Sequence, residues 1–218
     1  GQETNLTQKL YATAAAHPQR VVFAEAVHPT MLKAAVQAKA EGICQPVLLG
    51  NDEVIMKLAK SLDLSLDGIE IVNLRHPNEQ ERRERYARIL TQKRQRDGYT
   101  YQEANDKMFE RNYFGMMMVE TGEADAFITG LYTKYSNTTK VAKEVIGIRP
   151  EYEHFGAMHI INSPKGTYYI ADTMINENPD TDALVDLAKL AATAVRFFNE
   201  KPVIGMMSHS NFGSSTSS

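Results

Sequence analysis

Arg20-Val21-Val22-Phe23-Ala24, Met31 to Glu41 and Gln45-Pro46-Val47-Leu48-Leu49 together decide the fold. The first and third are short apolar runs that read as strands. The stretch between them puts Leu32, Ala35 and Val36 on one helical face. Pro29 suits the first turn of that helix and Gly42 its stop. The cycle then repeats. Gly50-Asn51-Asp52 supplies a turn and a helix cap, Val54 to Leu62 a helix, and Ile69 to Val72 a third strand. Strands alternating with helices of this length predict a parallel sheet covered on both faces. Upstream, alanine-rich Leu6 to Ala16 predicts a helix that His17-Pro18 closes.

Downstream, Glu79 to Arg96 reads as a long helix whose interleaved Arg and Glu mark a solvated surface. Asp97-Gly98 breaks it, and Thr100 with Glu103 forms a capping box for the next helix. Met108 to Glu120, with Met116, Met117 and Met118, predicts a buried helix filled by adaptable Met side chains. Gly122 ends it, Ala124 to Thr129 is a strand, and a polar loop from Gly130 to Thr138 leads to a helix over Val141 to Ile146. Gly147 to Pro150 is the candidate domain boundary. Beyond it, Phe155 to Asn162 and Tyr168 to Asp172 flank the hairpin signal Ser163-Pro164-Lys165-Gly166. Asn178-Pro179-Asp180 caps a helix from Thr181 to about Phe198. Val203 to Met207 is a strand that breaks into the polar stretch Ser208 to Ser218.

A chain of 218 residues can bury a sizeable core. A net charge of −3 argues against nonspecific nucleic-acid binding. The single cysteine, Cys44, excludes an intrachain disulfide and reads as a buried thiol beside Ile43 and Val47. No apolar run has membrane-span length and no signal peptide is evident, so the expectation is a cytoplasmic protein without membrane or nucleic-acid partners.

The common nucleotide-loop, nucleophile-elbow and zinc-protease motifs are absent. His154 and His159, five apart, are expected on opposite faces of a strand, and no metal site is expected. Two loops remain: Gly130 to Thr138 and Ser208 to Ser218. Each follows a strand and precedes a helix or its expected place, where free N–H groups suit a phosphate or a carbonyl oxygen. Lys134 and Lys140 add charge. The same Ser, Thr and Asn residues also serve as ordinary helix caps, and the residues alone leave both readings open. His209 lacks an acidic partner and is not read as catalytic. Arg94 and Arg96 either bind phosphate or simply sit well at a helix C-terminus.

The ordered segments from Arg20 to Glu25, Leu48 to Asn51, Asp97 to Thr100, Phe114 to Val119, Gly122 to Ala126 and Ala171 to Thr173 resemble the phosphate acetyl/butyryltransferase family. Glu123 to Ala126, Asp172 to Asn176 and above all Ser208-His209-Ser210-Asn211-Phe212-Gly213-Ser214 resemble one branch of it. That branch is the C-terminal phosphotransacetylase-like domain of bacterial NADP-dependent malic enzymes. The resemblance implies two α/β/α three-layer domains of the isocitrate/isopropylmalate dehydrogenase-like kind. Residues 1–148 would form the first and residues 149–218 the start of a truncated second. It implies coenzyme A in the cleft between them, acetyl-CoA as a regulatory ligand, and a homo-oligomer, a dimer through this domain. The candidate ligand residues are Arg94, Thr133, Lys134, Asn137, Thr138, Lys140, Ser208, Ser210, Asn211, Gly213 and Ser214, with no catalytic and no metal-binding residue.

A family arginine falls at Lys140, where a planar fork becomes a point charge. The family's Ser-Arg…Asp cluster would lie beyond residue 218. The malic enzyme domains of the same parent chain, with their NADP and divalent metal, would lie before residue 1. The fragment is therefore expected to regulate and not to catalyse. The alternatives are part of a genuine phosphate acetyltransferase or an oligomerisation module.

Overall fold

The computed structural model describes residues 18–130, 135–146, 152–155, 158–163, 166–175, 180–197 and 203–209. The strands are β1 (Arg20–Phe23), β2 (Gln45–Leu49), β3 (Glu70–Val72), β4 (Ala126–Thr129), β5 (Tyr152–Phe155), β6 (Met158–Ser163), β7 (Gly166–Ile175) and β8 (Val203–His209). They form one eight-stranded sheet in the order β3-β2-β1-β4-β8-β7-β6-β5. From β3 through β7 the neighbours run parallel, and β6 and β5 extend the far edge antiparallel.

The helices are α1 (Pro29–Ala40), α2 (Asp52–Ser61), α3 (Gln80–Lys93), α4 (Tyr101–Lys107), α5 (Arg111–Glu120), α6 (Tyr135–Val145) and α7 (Thr181–Phe197). The expected α/β class and the parallel sheet are present. No helix among the described residues is long and apolar enough to cross a membrane. The expected helix over residues 6–16 and the boundary at 147–150 lie outside the described residues. β8, which the two-domain expectation places in the second domain, pairs with β4 of the first. It sits inside the sheet between β4 and β7, which is why Val203 to Met206 carry no exposed side chain.

Alternation along the strands divides the core in two. Val21, Phe23, Leu48, Ala126 and Ile128 face α1 and α7 residues such as Leu32, Ala35, Leu187 and Ala191. Val22, Val47, Leu49, Val72 and Phe127 face Tyr86, Leu90, Phe114, Met117 and Val141 on the other side. Each fully buried Leu, Ile or Phe contributes roughly 1.5–3 kcal/mol of transfer free energy.

α5 is buried without a break from Asn112 to Val119, as expected of the Met-rich stretch. It lies so close to the sheet that a Cβ on Gly115 would stand 2.3 Å from the Phe127 ring. Cys44 is buried, and burial pushes its thiol up to about 12 against a smaller opposing pull from Arg196.

Three expected caps are in place. Asn51 Oδ1 accepts from Val54 N at 3.1 Å, Thr100 Oγ1 from Glu103 N at 3.1 Å and Asp180 Oδ1 from Ala183 N at 2.7 Å. Other expectations need correction. α6 begins at Tyr135, so it takes up the second half of the expected polar loop; short polar residues suit a first turn. Met108 to Glu110 do not begin α5. Their N–H groups bond the carbonyls of Asn105, Asp106 and Lys107 and close α4 instead. The solvated reading of α3 fails at Arg83, which is 6% exposed. An additional strand, β5, makes His154 and His159 register partners across the β5–β6 ladder and not residues of one strand.

At the amino ends of the strands, Arg20 N donates to Asp125 Oδ2 at 2.8 Å and Arg20 Nε to the Glu123 carbonyl at 3.0 Å. Glu123 accepts from Arg85 at 2.5 Å, from Tyr86 and from Thr121 at 3.0 Å. Burial raises the Glu123 carboxyl, but these donors together outweigh it and hold the group below its ordinary value of 4.5.

Candidate functional site at the carboxyl edge of the sheet

The chain lays down β1, β2 and β3 outward in one direction and then returns to place β4 on the other side of β1. In open parallel sheets such a switch point, at the carboxyl ends of the strands, is where ligands bind. Glu25 occupies it. The backbone there turns into the left-handed region at φ 60°, which costs a non-glycine residue roughly 1–2 kcal/mol. The turn buries the Glu25 side chain to 1% exposure. Its Oε1 accepts from Thr129 Oγ1 at 2.6 Å and from Gly130 N at 2.9 Å, both at the end of β4. A strained residue held by a neighbouring strand end is common at functional sites.

The two polar loops read from the sequence follow neighbouring strands. Thr129 is the register partner of Met206, so β4 and β8 run side by side to one edge. β8 extends through Ser208 and His209, so these two belong to the strand and not to the expected polar loop. Adjacent strands lie about 4.8 Å apart. β7 follows, with Met174 opposite Ser208. Thr133, Lys134, Ser210, Asn211, Gly213 and Ser214 lie outside the described residues. Asn137 and Lys140 are exposed on α6, while Thr138 is 2% exposed.

Arg94 stands elsewhere. Its Nε donates to the Glu144 carbonyl at 2.6 Å and its Nη2 to the Lys143 carbonyl, and Lys93 Nζ donates to the Val145 carbonyl at 2.8 Å. These cations satisfy the last turn of α6. That turn is about 13 Å from the residues with which α6 begins, at 1.5 Å per residue. Glu144 is tied there too, by Tyr113, by Tyr99 at 3.3 Å and by Lys107 at 3.5 Å. The helix is thus clamped at its C-terminal end, far from the strand-end edge.

Beside Glu25 the edge opens into a cleft of about 260 Å3. It is lined by the β1, β2 and β3 exits (Glu25, Val27, Gly50, Asn51, Asn73, Arg75) and by Phe109 and Arg111. Arg75 Nε donates to the Phe109 carbonyl at 3.0 Å. Sequence reasoning missed these residues as a group. Each stands just past a strand or at the α4–α5 turn, and only the sheet order gathers them. A polar residue one or two places after each of the first three predicted strands (Glu25, Asn51, Asn73) was the available signal for those three. Among the described residues, no cluster of three or more His, Cys, Asp or Glu side chains is placed to hold a metal.

A family model described as phosphate acetyl/butaryl transferase matches residues 5–218. The NADP-dependent malic enzyme of Salmonella typhimurium is 36% identical over 221 residues, covering 99% of this chain and 29% of that protein. The phosphate acetyltransferase of Acetivibrio thermocellus is 30% identical over 204 residues, covering 90% of this chain and 60% of that protein. The chain thus spans less than two thirds of the length of either relative. In structure it is similar to a phosphotransacetylase from Streptococcus pyogenes, with a TM-score of 0.58 at 24% identity, over 81% of this chain and 53% of that one. That likeness concerns the fold.

Proposed function

The chain belongs to the phosphate acetyl/butaryl transferase family, and from that premise we propose that it is an acetyl-CoA-sensing module of an NADP-dependent malic enzyme. Acetyl-CoA binds along the carboxyl edge of the sheet. Asn137, Lys140 and Ser208 contribute to the site, together with Thr133, Lys134, Ser210 and Asn211. Binding shifts a conformational equilibrium felt by malic enzyme domains of the same parent chain, which oxidise and decarboxylate malate with NADP and a divalent metal. Such a shift requires that acetyl-CoA bind one state more tightly than the other. The module self-associates, as a dimer.

The observation that carries this reading is that β4 and β8 run side by side to the same edge, next to the switch point where Glu25 holds Gly130 N. The malic enzyme assignment draws on 36% and 35% identity to two such enzymes, against 30% to the phosphate acetyltransferase of Acetivibrio thermocellus. Calorimetry with acetyl-CoA tests binding: a saturable heat is expected, and no heat at millimolar ligand overturns the reading. A second reading, a working phosphate acetyltransferase, draws on the match to such an enzyme over 90% of this chain. There the CoA thiolate would attack acetyl phosphate, the thioester bond would form and inorganic phosphate would leave. The chain is expected to form no acetyl-CoA from acetyl phosphate and CoA. Turnover above a no-protein control would favour the second reading.

A further inference from the structure

The cleft beside Glu25 is lined by two arginines, Arg75 and Arg111, and one ring, Phe109, with a third arginine, Arg83, packed against that ring. Arg83, 6% exposed, donates from Nη1 to the Leu74 carbonyl at 2.6 Å and the His76 carbonyl at 2.8 Å. It therefore fixes the backbone on both sides of Arg75. The Arg83 guanidinium also sits against the Phe109 ring, 4.4 Å from its centroid, a stacked cation–π arrangement. Arg75 closes the frame through its 3.0 Å bond to the Phe109 carbonyl. Arginine carries five N–H donors, so this bond leaves most of the Arg75 fork available at the cleft.

Phe109 lines the cleft and is 38% exposed, with the Arg83 guanidinium over its ring. Arg111 adds a further cation to the lining, and Asn51 and Asn73 add amides. Asn51 Oδ1 accepts from Val54 N and Asn73 Nδ2 donates to Asp52 Oδ1, both at 3.1 Å. This leaves the Asn51 amide N–H groups and the Asn73 side-chain oxygen for a ligand. The opposing carboxylate, Glu25, already accepts from Thr129 and Gly130. The cleft therefore combines positive charge, an aromatic surface and amide donors and acceptors. Forked guanidinium groups match phosphate oxygens, and ring faces take flat bases. At about 260 Å3 it sits just below the usual ~300–1,000 Å3 of whole-ligand pockets, so it suits one part of a larger ligand.

We propose that this cleft is a subsite for a phosphorylated nucleoside, with Arg75 and Arg111 on phosphate oxygens, Phe109 against the base and Asn51 and Asn73 at its polar edge. It rests on the acetyl-CoA reading for the ligand's identity, since it would receive the nucleotide end while the acyl end lies toward Gly130 and Ser208. Recognition by itself needs only the nucleotide.

The test titrates adenosine 3′,5′-bisphosphate and, separately, acetyl-CoA into the 218-residue chain and into Arg75→Ala and Phe109→Ala. Arg75 is exposed, so its variant is expected to fold, and circular dichroism verifies this. The bisphosphate is expected to bind the parent chain and to compete with acetyl-CoA. Arg75→Ala is expected to weaken both ligands roughly 10- to 100-fold, the range for losing a charged hydrogen bond, and Phe109→Ala to weaken them as well. Acetyl-CoA binding that ignores both substitutions and the bisphosphate overturns the subsite and leaves the acetyl-CoA reading intact. Arg75-dependent bisphosphate binding without acetyl-CoA binding supports the subsite and overturns the acetyl-CoA reading. Binding of neither ligand overturns both.

Discussion

Substitution of Glu25 separates two forces that meet at the switch point. Its carboxylate satisfies the Thr129 hydroxyl and the Gly130 N–H in a place where Glu25 is 1% exposed. Glu25→Ala strands both donors, at roughly 1–3 kcal/mol each, or about 2–6 kcal/mol together. Alanine also keeps the φ 60° strain, whereas Glu25→Gly strands the same donors but releases roughly 1–2 kcal/mol of strain. Glu25→Gln keeps an acceptor oxygen and loses only charge assistance, on the order of 1 kcal/mol. The expected order of stability is parent, Gln, Gly, Ala. The chain has no tryptophan, so urea unfolding is best followed by far-UV circular dichroism. A loss of about 3 kcal/mol in Glu25→Ala corresponds to a fall in Tm of roughly 6–12 °C for a chain of this size. An alanine variant within about 0.5 kcal/mol of the parent would show that Glu25 does not satisfy these donors, and a glycine variant less stable than alanine that it does not carry this strain.

Three further outcomes follow from particular contacts. Gly115→Ala gains roughly 1 kcal/mol of helix propensity but drives a Cβ into the buried Phe127 ring, so a net loss on the order of 2 kcal/mol is expected in urea unfolding. Glu123 has its carboxyl lowered in the folded state, so its contribution to stability is complete above the unfolded value, near 4.5, and disappears as pH falls through the folded one. Glu123→Gln is therefore expected to flatten the fall in Tm below about pH 4.5; an unchanged acid limb counts against this. Cys44 is expected to resist a thiol reagent at pH 8 in the folded chain, because it is 3% exposed and its thiol is pushed up to about 12. It should react rapidly once urea unfolds the protein.

The parallel sheet was legible in Arg20 to Leu49 because apolar runs and an amphipathic helix are local signals. Asn51, Thr100 and Asp180 were legible as caps for the same reason: each bonds an N–H three residues on. The order of strands was not legible. Nothing in Val203 to Met207 says that it pairs with residues 126–129, some 75 positions earlier. Arg94 illustrates the cost. Its charge suggested an anion, but its partners are carbonyls of α6, 49 and 50 residues away. The candidate site was half legible. The polar stretches after Thr129 and after Met207 could be picked out as strand-to-polar switches, although β8 runs on through His209, and the sheet sets β4 and β8 side by side. Glu25, Arg75, Phe109 and Arg111 convey nothing separately, because the meeting of strand exits and a helix turn is a property of topology.

Acetyl-CoA is proposed to bind along the carboxyl edge around Glu25, Gly130 and Ser208. Amide hydrogen exchange with and without saturating acetyl-CoA tests it most directly, because exchange reports where protection falls. Slower exchange is expected in Gly50–Asn51, Asn73–Arg75, Gly130 to Lys140 and the end of β8, with little change near Arg20 and Glu123 at the opposite edge. Protection confined to that opposite edge, or no protection at all, would contradict it.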